Sequence, residues 1–306
     1  MRWRAMGAIS KMVVGMVRIM PPALVKVFAM RYIAGDKLED AIEVVEQLNQ
    51  RGVMATIDVL GESITEKEES RRAVEDYKKV LQEIDRNGLD SNISIKPTMF
   101  GITFDYNFCY ANIEELIEEA EKYGNFVRLD IEDTSVTDDT FKLCLELMKK
   151  HKKVGTAVQS MLRRTLDDVY MLGKHKVNLR ICKGAYKEPR KVAYQDKVNI
   201  DRSFVACIDA LFSAGSYVGI ATHDEKMVFE GVRLARRYDL KREQYEFQML
   251  LGVDRELEDI IVEGGHRLRI YVPFGEQWYP YSIRRFNENP DMAGYIMKNM
   301  FSRYER

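Results

Sequence analysis

The sequence predicts an α/β fold, a single (β/α)8 barrel with helices ahead of it, and three observations carry that expectation. From residue 53 onward, short β-branched or alternating runs recur, and the apolar residues between them fall at helical spacing. There are eight such units, with no break in composition to mark a second domain. No GxGxxG follows the first strand, as a doubly wound dinucleotide sheet would require. Residues 1–50 are expected to form an N-terminal helical segment and residues 51–306 the barrel.

Taken in order, Leu38, Ile42, Val45 and Leu48 place a helix over Lys37–Asn49. The predicted strands are Val53–Leu60, Asn92–Lys96, Phe126–Ile131, Val154–Gln159, Val177–Cys182, Tyr217–Thr222, Tyr245–Leu250 and Leu268–Val272. Between the first two, Val74, Tyr77, Leu81 and Ile84 form a helical stripe. After Asn112, taken as an N-cap, Ile113, Leu116, Ile117 and Ala120 form another. Each strand runs into polar residues: Glu62, Lys96, Asp130, Gln159, Arg180 with Lys183, Thr222 with His223, Gln248 and Tyr271. Barrel chemistry gathers at the carboxyl ends of the strands. Buried there, these groups all need partners, so a highly polar ligand across the mouth is expected.

Beyond the last strand, Tyr281, Arg284, Arg285 and Glu288 follow Pro280 at i, i+3, i+4 and i+7, one face of a helix. That face reads either as a solvated charged stripe or as a clamp, because paired guanidiniums present forked donors to a carboxylate. Arg163 and Arg164 also adjoin, but they precede Thr165 at a helix start, where backbone and surface pairing are expected.

Composition narrows the chemistry. Lys plus Arg number 47 against 48 for Asp plus Glu, so the net charge of −1 offers no field for nucleic acid. The four cysteines lie far apart without a CxxC pair, pointing to reduced thiols in a cytoplasmic enzyme. Cys182 reads as a small apolar barrel residue. HExxH, GxSxG and Walker-type loops are absent from the sequence, which removes most of the case for metal and serine-nucleophile chemistry. The stretch from Met1 to Gly35 carries six basic residues and no acid, and its apolar run between Lys11 and Arg18 is only six residues, too short to span a bilayer. It reads as a docking helix, or as an amphipathic segment lying on an anionic membrane surface.

Several blocks closely resemble the proline dehydrogenase family, flavoenzymes that oxidise L-proline: RICKGAY at 180–186, ATH at 221–223, YEFQMLLG at 245–252 and YVPFGEQWYPYSIRR at 271–285. The resemblance extends through ISIKP at 93–97, VRLDIED at 127–133 and VQSMLRRT at 158–165. It implies a distorted barrel holding FAD, with the last helix over the mouth. Carried over residue by residue, it implies that Arg284, Arg285 and Lys96 hold the proline carboxylate, while Tyr271, Tyr186 and Leu250 pack on the ring. Asp130 would orient Lys96 and the flavin side of the site, and Arg180 would hydrogen-bond near flavin N5. Gln159, Lys183, Gly184, Ala185, Thr222, His223, Gln248 and Glu288 would touch the cofactor, and Glu62 would pair with Arg180 as a gate. Asp224 stands where the family often has Asn, and Lys187 where several bifunctional relatives have Trp. The expected reaction yields Δ1-pyrroline-5-carboxylate, with electrons passing to a membrane quinone. The alternatives are a non-catalytic proline or anion sensor, and another barrel flavoprotein acting on folate or on a modified proline.

Overall fold

A computed structural model describes residues 30–61, 64–279 and 282. Eight parallel strands close into one barrel in sequence order: β1 (Met54–Val59), β2 (Ser91–Ile95), β3 (Val127–Leu129), β4 (Val154–Gln159), β5 (Asn178–Cys182), β6 (Val218–Ala221), β7 (Tyr245–Leu250) and β8 (Leu268–Phe274). Closure is made by β1 and β8, which pair from Met54↔Arg269 to Val59↔Phe274. All eight expected strands are present, with ends displaced by a few residues at most.

The helices are α1 (Leu38–Gln50), α2 (Lys67–Arg86), α3 (Tyr106–Lys122), α4 (Thr137–Leu147), α5 (Thr165–Lys174), α6 (Lys197–Ser213), α7 (Glu225–Arg237) and α8 (Arg255–Glu263). The apolar stripe Val74, Tyr77, Leu81 and Ile84 of α2 is buried against the strands, as its spacing requires. One boundary differs from the sequence reading. Asn112 does not cap a helix: it lies inside α3, buried, and donates from Nδ2 to the Phe100 carbonyl at 3.2 Å. The cap is Asp105, whose carboxylate accepts from the Phe108 amide at 3.0 Å. Both residues precede an apolar run, and only the path of the chain shows that the helix begins nearly two turns earlier.

Arg163 and Arg164 take the structural roles expected of them. Arg163 Nε donates to the Arg190 carbonyl, and Arg164 pairs with Asp168 at 2.9 Å and Asp138 at 2.6 Å. The four cysteines carry free thiols. No helix among the described residues is long and apolar enough to cross a membrane.

Alternation along the strands builds two polar layers inside the barrel. The lower layer, toward the strand amino ends, holds Arg128, Asn178, Glu246 and Arg269. Two residues further along the same four strands stand Asp130, Arg180, Gln248 and Tyr271. This upper layer is the floor of the mouth.

Candidate active site at the carboxyl end of the barrel

The centre of the site is an ion pair between Arg180 of β5 and Asp130, which directly follows β3. Both side chains are buried. Asp130 also accepts from Ser94 Oγ at 2.6 Å and, from across the barrel, from the Tyr271 hydroxyl at 2.8 Å. Arg180 donates from Nε to Gln248 Oε1 at 2.5 Å, and its guanidinium lies 5.3 Å from the centre of the Tyr271 ring. Burial alone would raise the Asp130 pKa. The Arg180 and Lys96 cations, with the hydroxyls of Ser94 and Tyr271, outweigh it and hold the carboxyl below its usual range. Asp130 is therefore an ionised group committed to its partners.

Lys96 ends β2 and is buried beside this pair. Its ammonium donates to Asp58 Oδ1 at 2.5 Å. Asp58, in the middle of β1, was not among the residues the sequence reading selected, because Glu62 stood in its place as the polar residue of the first strand. The available signal was the lone carboxylate in the otherwise apolar run MATIDVL. Tyr77 of α2 reaches the same oxygen at 3.3 Å and the Ser94 carbonyl at 2.8 Å, tying helix, β1 and β2 together. Burial raises the Asp58 pKa and neighbouring Asp130 adds to it, opposed by Lys96. The direct partner of Lys96 is thus Asp58, while Asp130 acts on it through space.

Around this centre, the ends of β4 to β6 supply a second group. Gln159 donates to the Glu132 carbonyl at 2.7 Å and offers Oε1 to the Ala185 amide at 3.4 Å. Lys183 is shared by Asp201 at 2.6 Å and Asp224 at 2.8 Å. Asp224 also caps α7 by accepting from the Lys226 amide, so its carboxylate has a structural task. Despite burial, Lys183 and Lys197 bring its pKa down to about 2. Thr222 Oγ1 accepts from the Asp224 amide at 3.1 Å. His223 Nε2 accepts from the Leu250 amide at 2.8 Å, which places the proton of the neutral ring on Nδ1. Desolvation lowers its pKa to about 4.

Gly184 follows with φ +119, a conformation side chains rarely adopt, and a Cβ there would lie 2.4 Å from Met161 Sδ. Tyr186 packs on Met161, Leu162 and Ala193. The structure thus joins Lys96, Asp130, Arg180, Gln248 and Tyr271 in one network, and sets Gln159, Lys183, Thr222 and His223 along the adjoining strand ends. Glu62, Arg284, Arg285 and Glu288 lie outside the described residues, as do Pro280 and Tyr281.

Among the described residues, no group of three or more His, Cys, Asp or Glu is placed to hold a metal ion. A closed parallel barrel whose polar mouth is built from the ends of successive strands is the arrangement of a (β/α)8 enzyme of small-molecule chemistry. Comparison narrows the class: the family model described as proline dehydrogenase matches residues 41–298. The chain is 34% identical over 275 residues to proline dehydrogenase 1 of Bacillus subtilis subsp. natto, covering 90% of this chain and 91% of that one. It is 34% identical over 277 residues to the proline dehydrogenase of Deinococcus radiodurans, covering 89% of each. Among solved structures, proline utilization A from Bdellovibrio bacteriovorus, inactivated by N-propargylglycine, superposes with a TM-score of 0.80 at 23% identity. That match covers 87% of this chain and 33% of the larger protein. This chain belongs to the proline dehydrogenase family.

Proposed function

We propose that this protein oxidises L-proline to Δ1-pyrroline-5-carboxylate, using FAD as its cofactor and passing the electrons to a quinone. The observation that carries this reading is the connected set Lys96, Asp130, Arg180, Gln248 and Tyr271 at the barrel mouth of a chain of this family.

The donors at the mouth suit a flavin dinucleotide. Arg180, Gln159, Thr222 and the Nδ1–H of His223 provide polar contacts from three neighbouring strands, and Gly184 keeps the backbone bare where a Cβ would collide. We assign cofactor contacts to these residues, to Lys183, Ala185 and Gln248, and to Glu288 in the segment beyond. When bound, FAD supplies the two-electron acceptor for the hydride leaving C5 of proline.

The chain itself supplies binding and orientation. Lys96 lies beside the ion pair with its charge partly balanced by Asp58, and with Arg284 and Arg285 it would give a carboxylate three charge-assisted contacts. Tyr271, held by Asp130, would present its ring to the pyrrolidine with Tyr186 and Leu250, and a substituent on that ring would collide with it. Holding one carboxylate in this way converts a bimolecular encounter into an oriented one. The Asp130 carboxylate is occupied by three donors, so its task is to fix Arg180 and Tyr271 rather than to take the amine proton. Glu62 would close the pocket by pairing with Arg180. We place the protein in the cytoplasm, with the basic segment 1–30 resting on the inner face of the membrane.

The test is the visible absorption spectrum before and after anaerobic L-proline. A yellow protein that bleaches with proline and far more slowly with hydroxyproline is the expected result, and a spectrum unchanged by proline would reject the proposal. Arg285→Met should lose bleaching while keeping its FAD. Full-speed bleaching in that variant would remove the carboxylate clamp.

A further inference from the structure

We propose that the amino end of the barrel, opposite the mouth, carries a second binding site, for a small oxyanion of the carboxylate or phosphate class.

A cavity of about 420 Å³ opens there, between the starts of β2, β5, β7 and β8. Its walls include Arg128, Arg267 and Arg269, with Asn92, Asn178 and Tyr217. One carboxylate, Glu246, faces the three guanidiniums from the wall, and it is spoken for. Arg269 holds it through Nε at 2.8 Å and Nη2 at 3.2 Å, and the Tyr217 hydroxyl donates to it at 2.7 Å.

Arg128 and Arg267 have no carboxylate partner among the described residues. Arg128 is 2% exposed, yet it spends its donors on neutral acceptors: the Thr156 carbonyl at 2.9 Å and the Asn178 carbonyl and Oδ1, each at 2.6 Å. Among the described residues its Nε has no hydrogen-bond partner, and neither does Asn92 Oδ1 in the same wall. Arg267 reaches only the Tyr217 hydroxyl and the Glu243 carbonyl, both at 3.4 Å, and the Met54 sulfur. The other acids of the lining, Asp85 and Asp90, are exposed to water, and Asp90 acts through space on Arg269.

A buried guanidinium with no hydrogen-bonded counter-ion is costly: burial and the repulsion of Arg180 and Arg269 outweigh the attraction of Glu246 and bring the Arg128 pKa down to about 9. An anion entering the cavity would supply the missing charge. Two cations with no carboxylate bound to them among the described residues, on the wall of a cavity at this end of the barrel, select an oxygen-rich anion small enough to enter.

The experiment is isothermal titration of the full-length protein as purified, with inorganic phosphate and with succinate separately. Ionic strength is held constant with chloride, and L-proline is saturating so that the mouth of the barrel is engaged. The expected result is saturable binding of one equivalent with Kd in the millimolar range or tighter. Arg267→Gln, a change at a partly exposed position that leaves the barrel interior intact, should weaken it by about tenfold or more. Lys96→Met, at the opposite end, should leave it unchanged. Binding of phosphate alone or of succinate alone supports the site and identifies its anion. The proposal is overturned if neither anion binds, if Arg267→Gln binds as tightly as the parent, or if Lys96→Met abolishes binding.

Discussion

Residue types at the barrel mouth are familiar, but their ionisation is decided by what each one touches. Asp58 and Asp130 are both buried acids with a cation nearby, and their pKa values move in opposite directions. The difference lies in their partners. Asp130 collects the Arg180 cation and two hydroxyls, whereas Asp58, buried in mid-strand, has Lys96 as its cation and the Asp130 charge against it. His223 gives a testable consequence. Its pKa falls from an ordinary 6.5 to about 4 in the folded protein, so between those values the unfolded chain binds a proton that the folded one refuses. Its contribution to stability is complete above 6.5 and is lost as pH falls toward about 4. Urea unfolding over this interval should show stability falling by up to about 1.4 kcal/mol per pH unit, and His223→Gln should flatten that limb. Glu246, whose pKa falls from 4.5 to about 2, adds its own loss from the acid end of the histidine window downward.

Elements place these residues by simple rules. A strand sends alternate side chains the same way, so one step of two residues carries the barrel from the Arg128 layer to the Asp130 layer, and from Glu246 to Gln248. The two layers touch where Gln248 donates to Glu246 Oε1 at 2.6 Å while accepting from Arg180. Helix starts fix how each strand end is presented. Asp105 caps α3 and also pairs with Lys67 of α2 at 2.9 Å. Asp105→Ala should lower stability by about 1 kcal/mol, measured by chemical unfolding, because it leaves an amide of the first turn unpaired. The exposed pair with Lys67 should add little to that loss. Asn112→Ala would test the corrected boundary from the other side. As an interior residue, its loss should be felt through the buried Phe100 carbonyl and Arg71, which its Oδ1 holds at 2.9 Å.

Across the whole molecule, the barrel brings together residues more than a hundred positions apart, as when Tyr271 meets Asp130. Residues 1–29 of the N-terminal basic segment lie outside the described residues, while Arg31 donates from Nε to the Gly252 carbonyl at 3.3 Å. Deleting residues 1–30 should reduce co-sedimentation with anionic liposomes while sparing dye-linked proline oxidation. Unchanged co-sedimentation would remove the membrane role.

Much of this was legible in the linear chain. Eight β/α units show through because strand and helix differ in the period of their apolar residues, and burial on the barrel enforces that period. The polar strand ends stand out for the same reason, since a charged residue closing an apolar run is conspicuous. Asp58 was passed over although it sits inside such a run, and Asn112 was misplaced because a polar residue before an apolar stripe looks alike whether it caps the helix or lies within it. Pairing was beyond the sequence altogether. That Lys96 takes Asp58, that Asp130 takes Arg180, and that Arg128 bonds to no acid among the described residues depend on which strands meet when the barrel closes. A chain order records periodicity along one line, while the charges that decide ionisation come from across the fold.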